Sequence, residues 1–297
     1  MVPRLVLFAG VLSGLTRCSE PEPTPDSTSS GVQQPVQAHP LDFERHLEEL
    51  RSTLLPEGFA VVVEPPFVVL GDLPVAEIEE WAGGTIRWAV HLLRQDYFDL
   101  DLTEIVDIWL FKDNASYRKH TWELFGERPS THFGYYSPQH SALLMNISTG
   151  GGTLVHEIVH PYVATNFPAC PTWLNEGLGS LYEACHSENG RIVGLVNWRL
   201  AGLRKCIDQE RLPPFHWLFE TTDEEFYGAS RGDPYAQARY LCMWLEQHDL
   251  LRPFWRRLLQ THPEDPTGEA TLLEVLQRED LDAFQSEWQE WVFTLTN

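Results

Sequence analysis

The sequence predicts an α+β fold, with an N-terminal lobe of strands and helices around a small sheet, one central helix, and a mainly helical C-terminal lobe. Three observations predict it. Short β-branched and aromatic runs bounded by turn residues crowd the first half of the chain. Apolar residues at helical spacing fill the second half. Between them, Leu154, Val155, Ile158, Val159 and Val163 give the apolar faces of a buried helix that also carries His156, Glu157 and His160.

Taken in order, the chain opens with Arg4 and the apolar run Leu5 to Leu15. Such a run reads as an export signal, because about 20 apolar residues are needed to cross a bilayer. Leu15-Thr16-Arg17-Cys18 resembles a bacterial lipobox, with Arg17 where a small residue is usual. The expectation is a signal peptide over 1–17 and a disordered Pro/Ser/Thr-rich tether over 18–40. Cys18 is then a possible lipid anchor and the protein a periplasmic or outer-membrane lipoprotein, with plain secretion as the alternative. One domain follows over 41–297, divided into an α/β lobe (41–149) and a helical lobe (150–297).

Within the first lobe, Phe59 to Val63 and Phe67 to Leu70 read as strands around Glu64-Pro65-Pro66. Residues 75–95 read as one helix, with Ile78, Trp81, Ile86, Val90 and Leu93 on its apolar stripe. Ile105 to Phe111 is a strand, and Asp113 caps a helix that runs to Leu124. Phe133 to Tyr136 and Ala142 to Ile147 form a hairpin leading into the central helix, with Ser148 or Thr149 as capping hydroxyl and Gly150 to Gly152 as a flexible lead-in. Pro161 removes a backbone donor and is expected to kink or end that helix. Downstream helices are expected over Trp173 to Tyr182, Asn197 to Ile207, Tyr235 to Gln247, Leu251 to Leu259 and Asp282 to Phe293. The 11 tryptophans sit at such positions and read as packing residues.

A formal charge of −22, from 43 acidic against 21 basic residues, argues against a nucleic-acid partner. Neither a P-loop nor a dinucleotide fingerprint is present. Beyond Cys18 the cysteines are Cys170, Cys185, Cys206 and Cys242. An even set in an exported protein suggests disulfides, with buried thiols as the alternative. A Cys170–Cys185 pair is disfavoured, since a helix from Thr172 to Cys185 would hold its ends about 18 Å apart at 1.5 Å per residue.

The chemistry concentrates in His156-Glu157-Ile158-Val159-His160. Histidines at i and i+4 share one helix face and can share a metal, and the intervening glutamate can act on a water beside it. A catalytic zinc needs a third protein ligand and an open fourth position. Glu176, in Trp173-Leu174-Asn175-Glu176-Gly177-Leu178-Gly179, is the expected ligand, because the glycines let its helix approach the first closely. Glu183 is the rival.

These two motifs together resemble the gluzincin branch of the zinc metallopeptidases, in particular the peptidase MA-like domains of bacterial envelope proteins. The resemblance covers roughly residues 59 to 250. A weaker echo is Pro234 to Leu241, which resembles the tyrosine-bearing helix of these domains. The resemblance implies a zincin-like fold and a Zn2+ site of His156, His160 and Glu176. It also implies hydrolysis of a peptide or protein substrate, with Glu157 as general base and Tyr235 as oxyanion donor. Tyr240, Tyr162, His186 and His216 are competitors for that last role. The strand near Leu143 to Ile147 is implied to line the cleft as an edge strand that pairs with extended peptide, with an ordinary inner strand as the alternative. Compared with thermolysin, the gap from His160 to Glu176 is shorter, and no aspartate follows Glu176 to orient a histidine. A catalytically silent envelope protein of the same fold, binding peptide or glycan, is the alternative.

Overall fold

The strands of the first half are apolar on consecutive residues rather than alternately, as a strand covered on both faces requires. The computed structural model, which describes residues 41–228 and 234–296, shows how they are covered. Helix α1 (Phe43–Thr53) comes first, capped by Asp42. Strands β1 (Ala60–Glu64) and β2 (Phe67–Gly71) form an antiparallel hairpin across a cis Pro65–Pro66 peptide. Helix α2 (Val75–Glu80), a π-helical turn (Trp81–Ile86) and α3 (Arg87–Asp96) then lead to β3 (Val106–Phe111), parallel to β2. Helix α4 (Asn114–Phe125) precedes β4 (Gly134–Ser137) and β5 (Ala142–Asn146). The sheet order is β1-β2-β3-β5-β4, with β5 parallel to β3 and antiparallel to β4.

Successive residues of the inner strands go to opposite faces. Phe67, Val69, Ile108, Leu110, Leu143 and Met145 join the main core beneath the helices. Val68, Leu70, Trp109, Phe111, Ala142 and Leu144 pack under Leu50 of α1 and Tyr117 of α4.

The second half begins with α5 (Gly152–Asn166) and α6 (Thr172–Tyr182), followed by a hairpin of β6 (Cys185–Glu188) and β7 (Arg191–Gly194). Helices α7 (Arg199–Asp208), α8 (Phe215–Glu220), α9 (Asp223–Gly228), α10 (Pro234–Gln247), α11 (Leu251–Thr261), α12 (Glu269–Leu276) and α13 (Leu281–Thr294) complete the described chain. The packing role expected of tryptophan holds at Trp173, Trp255 and Trp288. All three are buried, with indole N–H groups donating to the carbonyls of Thr267, Tyr97 and Tyr240. Among the described residues no helix is long and apolar enough to cross a membrane. The expected signal, tether and Cys18 lie outside the described residues.

Several expectations are corrected. The helix expected over 75–95 is present, running without a break over 75–96, but its middle stretch, Trp81–Ile86 with Gly83 and Gly84, is π-helical rather than α-helical. Pro161 does not end α5, which runs on to Asn166. One lost backbone donor is tolerated there, and Thr165 Oγ1 donates to the Pro161 carbonyl at 3.0 Å. No side chain caps α5: Ser148 Oγ bonds Asn146 Oδ1, and Thr149 Oγ1 bonds the Asn146 carbonyl. Strand β5 is an inner strand, so the edge strand implied near Leu143 to Ile147 is instead β4. Cys170, Cys185, Cys206 and Cys242 are all free thiols. Helices α1, α8, α9 and α12 and the β6–β7 hairpin were not expected from the sequence.

Candidate metal centre

Helix α5 carries His156 and His160 one turn apart, with ring centroids 4.9 Å from each other. Helix α6 lies against them. A Cβ on Gly179 would stand 3.1 Å from Cδ2 and Nε2 of His156, so the ring rests on bare backbone. Glu176, three residues before Gly179, shares that face of α6. Its Oε2 is 3.2 Å from His156 Nε2, and its Oε1 is 3.9 Å from His160 Nε2. The nearby Gly177 serves a different contact: a Cβ there would meet Cys242 Sγ at 2.8 Å and the Ala238 carbonyl at 3.1 Å on α10.

The other ring nitrogens face outward to separate partners. His156 Nδ1 is 3.3 Å from Glu183 Oε1, and His160 Nδ1 is 3.0 Å from Asn175 Oδ1. The Asn175 acceptor on His160 Nδ1 favours the tautomer that leaves Nε2 as the lone-pair nitrogen, and the Glu183 carboxylate near His156 Nδ1, though not hydrogen-bonded to it, favours the same there by its charge. Glu183, the rival ligand, therefore stands behind His156 rather than beside Glu176. Arg199 holds it with two bonds, Nε to Oε2 at 3.0 Å and Nη2 to Oε1 at 2.8 Å.

Two imidazole nitrogens and one carboxylate oxygen, all within 4.8 Å of one another, form a donor set that can hold a metal ion. The set fits in two further respects. Glu176 Oε2 is buried with no hydrogen-bond partner, although His156 Nε2 is 3.2 Å away. Bonds of 2.0–2.1 Å in tetrahedral geometry place neighbouring ligand atoms about 3.3 Å apart, close to that separation. The charges also fit. Burial alone would raise the pKa of Glu176 and of Glu183, yet the close imidazole of His156, joined by His160 and Tyr227 at Glu176 and by Arg199 at Glu183, outweighs it and holds both below the usual carboxylate range. Burial would lower His156, but Glu176 and Glu183 raise it above the usual imidazole range. A locus that favours a proton this strongly also favours a divalent cation, which competes with that proton.

Glu157 lies beside this group, its Oε2 3.8 Å from His160 Nε2. The backbone N–H of Tyr136 in β4 donates to the same oxygen at 2.9 Å, so the edge strand fixes the carboxylate. A cleft of 980 Å³ opens over the group. Phe133, Gly134, Tyr135 and Tyr136 line it, as do Trp198, Arg199, Tyr227 and Tyr235. Trp198 is 66 % exposed, so it departs from the packing role expected of tryptophans and presents its ring to this space.

Tyr235 thus lines the cleft, its ring 5.1 Å from the Arg199 guanidinium. Its competitors do not line it. Tyr162 O–H donates to Asp101 at 2.9 Å, and the Tyr240 hydroxyl is bonded to the backbone of Asn197. His216 is paired with Glu269 at 2.8 Å, and His186 lies in β6. The sequence reading missed Asn175, Glu183 as an outer partner, the Tyr136 amide and Tyr227, whose hydroxyl donates to Glu176 Oε1 at 2.7 Å. Asn175 was within reach as the residue beside the expected ligand. The other contacts join segments far apart in the chain and left no local signal. No protein-family model matches the chain, and no curated protein matches it.

Proposed function

We propose that the protein is a zinc-dependent peptidase of the gluzincin type, with a zincin-like fold and Zn2+ held by His156, His160 and Glu176. The observation that carries this reading is the convergence of both Nε2 atoms and Glu176 at a cleft, with Glu157 fixed beside them by the Tyr136 amide. When bound, the metal supplies a water of lowered pKa and polarises a carbonyl. With the metal bound, Glu157 would be the group that accepts a proton from its water and later passes it to the leaving amine. Asn175 and Glu183 hold the two imidazoles in register, and Arg199 holds Glu183. Tyr235, which lines the same cleft as β4, is the donor proposed for the developing oxyanion. Strand β4 is the edge of the sheet, so an extended peptide can pair along it. The start of the chain supports an envelope or exported location, with Cys18 as anchor.

The test uses a diverse peptide pool with zinc-loaded protein, with and without chelator. Cleavage that stops with chelator is expected. Glu157→Gln is expected to keep one zinc per chain and lose hydrolysis by at least about a hundredfold. Full turnover in that variant would remove Glu157 from the mechanism. Peptide binding without cleavage in the wild type would favour the silent alternative.

A further inference from the structure

We infer that Tyr227 is the positioning residue that decides which oxygen of Glu176 faces the metal, an inference that rests on the metal-site reading above. Tyr227 lies in the last turn of α9, a helix held by contacts other than the Tyr227 hydroxyl. The preceding Phe226 is buried, and Thr172 Oγ1 at the start of α6 donates to Asp223 at the start of α9. At the α9 N-terminus, Glu225 Oε2 accepts from the Thr222 N–H at 3.0 Å and from its hydroxyl at 2.9 Å. Tyr227 itself is 57 % exposed, yet its hydroxyl reaches the buried Glu176 and donates to Oε1 at 2.7 Å. The ring packs edge-on to Phe226, with centroids 5.6 Å apart.

That bond divides the work of the carboxylate. Oε1 is occupied by the phenol, while Oε2 has no hydrogen-bond partner and lies 3.2 Å from His156 Nε2. A carboxylate with both oxygens unengaged can bind a cation through both, which would fill the position a catalytic site keeps open. Donation to Oε1 draws charge from that oxygen and leaves Oε2 as the ligand. Tyr227 therefore sets both the affinity of the site and its coordination number, without touching the metal.

The experiment measures metal affinity by chelator competition, and the visible spectrum of the Co2+-loaded full chain, for wild type, Tyr227→Phe and Tyr235→Phe. Tyr227→Phe is expected to lose metal affinity by roughly 10–100-fold. Its Co2+ bands should weaken as the carboxylate becomes two-toothed, and Tyr235→Phe should match wild type in both readouts. The melting temperature of the metal-free Tyr227→Phe protein should fall by no more than a few degrees, because one hydrogen bond to Glu176 is lost while the ring contact with Phe226 remains. Wild-type affinity and spectrum in Tyr227→Phe would overturn the inference and leave the metal site standing. So would a fall in turnover at unchanged metal affinity, which would place Tyr227 against substrate. A wild-type chain that binds neither ion would overturn the metal-site reading, and this inference with it.

Discussion

Two carboxylates held at helix α6 respond to burial in opposite ways. Glu246 accepts from the Tyr182 hydroxyl at 3.0 Å and from the Gly194 N–H at 2.9 Å, and Tyr182 is in turn 2.7 Å from the Tyr97 hydroxyl. All of these partners are neutral. Burial pushes its pKa up to about 7, against the lowering effect of those bonds. Glu176 is more deeply buried than the half-buried Glu246, yet the close imidazoles of His156 and His160 and the Tyr227 hydroxyl hold it low. One of its oxygens is left with no hydrogen-bond partner. Burial of a carboxylate therefore does not mark a site. The mark is a lone pair left over and aimed at nitrogen lone pairs, beside a cleft.

The largest expected effect breaks the two apart by metal content. Glu176→Gln should lose metal affinity by more than the 10–100-fold typical of outer partners, because it removes a ligand's charge. Glu246→Gln should bind one metal per chain, as is expected of the wild type. Elemental analysis after dialysis against a weak chelator reads both. Equal retention in the two variants would erase the distinction.

The second effect is on stability and runs through Glu246. Its folded pKa of about 7 lies above the ordinary 4.5, so the native state keeps a proton that the unfolded chain releases. The associated stability is fully present below about pH 4.5 and is lost as pH rises to about 7, on the order of 3 kcal/mol in all. Urea midpoints of the metal-free protein at pH 5 and pH 8 measure it. The wild type should weaken more than Glu246→Gln across that interval. Glu176 and Glu183 are held below the usual range, so they titrate at lower pH, and the raised His156 is common to both proteins. Parallel pH profiles would show that Glu246 is not the titrating group.

How legible each part was depended on the range of the interaction that made it. The face shared by His156 and His160 could be read from spacing, because i and i+4 share a face of any helix. The covered strands could be read from unbroken apolar runs such as Val68-Val69-Leu70. The strand order could not, since β4 becomes the edge only through pairing with β5. Glu183 and Tyr227 act across helix packing that no local pattern announces. The β6–β7 hairpin was legible and went unread: Asn189-Gly190 takes φ values of 51° and 77° in the turn, a strong two-residue hairpin signal.

The smallest effect concerns the two glycines of α6, which the sequence treats alike and the structure does not. In a helix, Gly→Ala favours folding by about 1 kcal/mol when there is room. At Gly177 there is none, because the new Cβ would lie 2.8 Å from Cys242 Sγ and 3.1 Å from the Ala238 carbonyl on α10. Overpacking of about 1–3 kcal/mol should outweigh the helix gain, so Gly177→Ala should unfold at lower urea with its metal affinity intact. At Gly179 the nearest atoms all belong to the His156 ring, at 3.1 to 3.2 Å. A ring at the end of a side chain can yield by a few tenths of an ångström, so stability should hardly change. The same displacement moves Nε2 relative to Glu176, and a site that tolerates about 0.5 Å should lose affinity by a few-fold. A double measurement of urea midpoint and zinc affinity on both variants should give crossed results. A Gly179→Ala protein that loses stability but keeps its affinity would mean that α6 is spaced for packing, not for holding the His156 ring against Glu176.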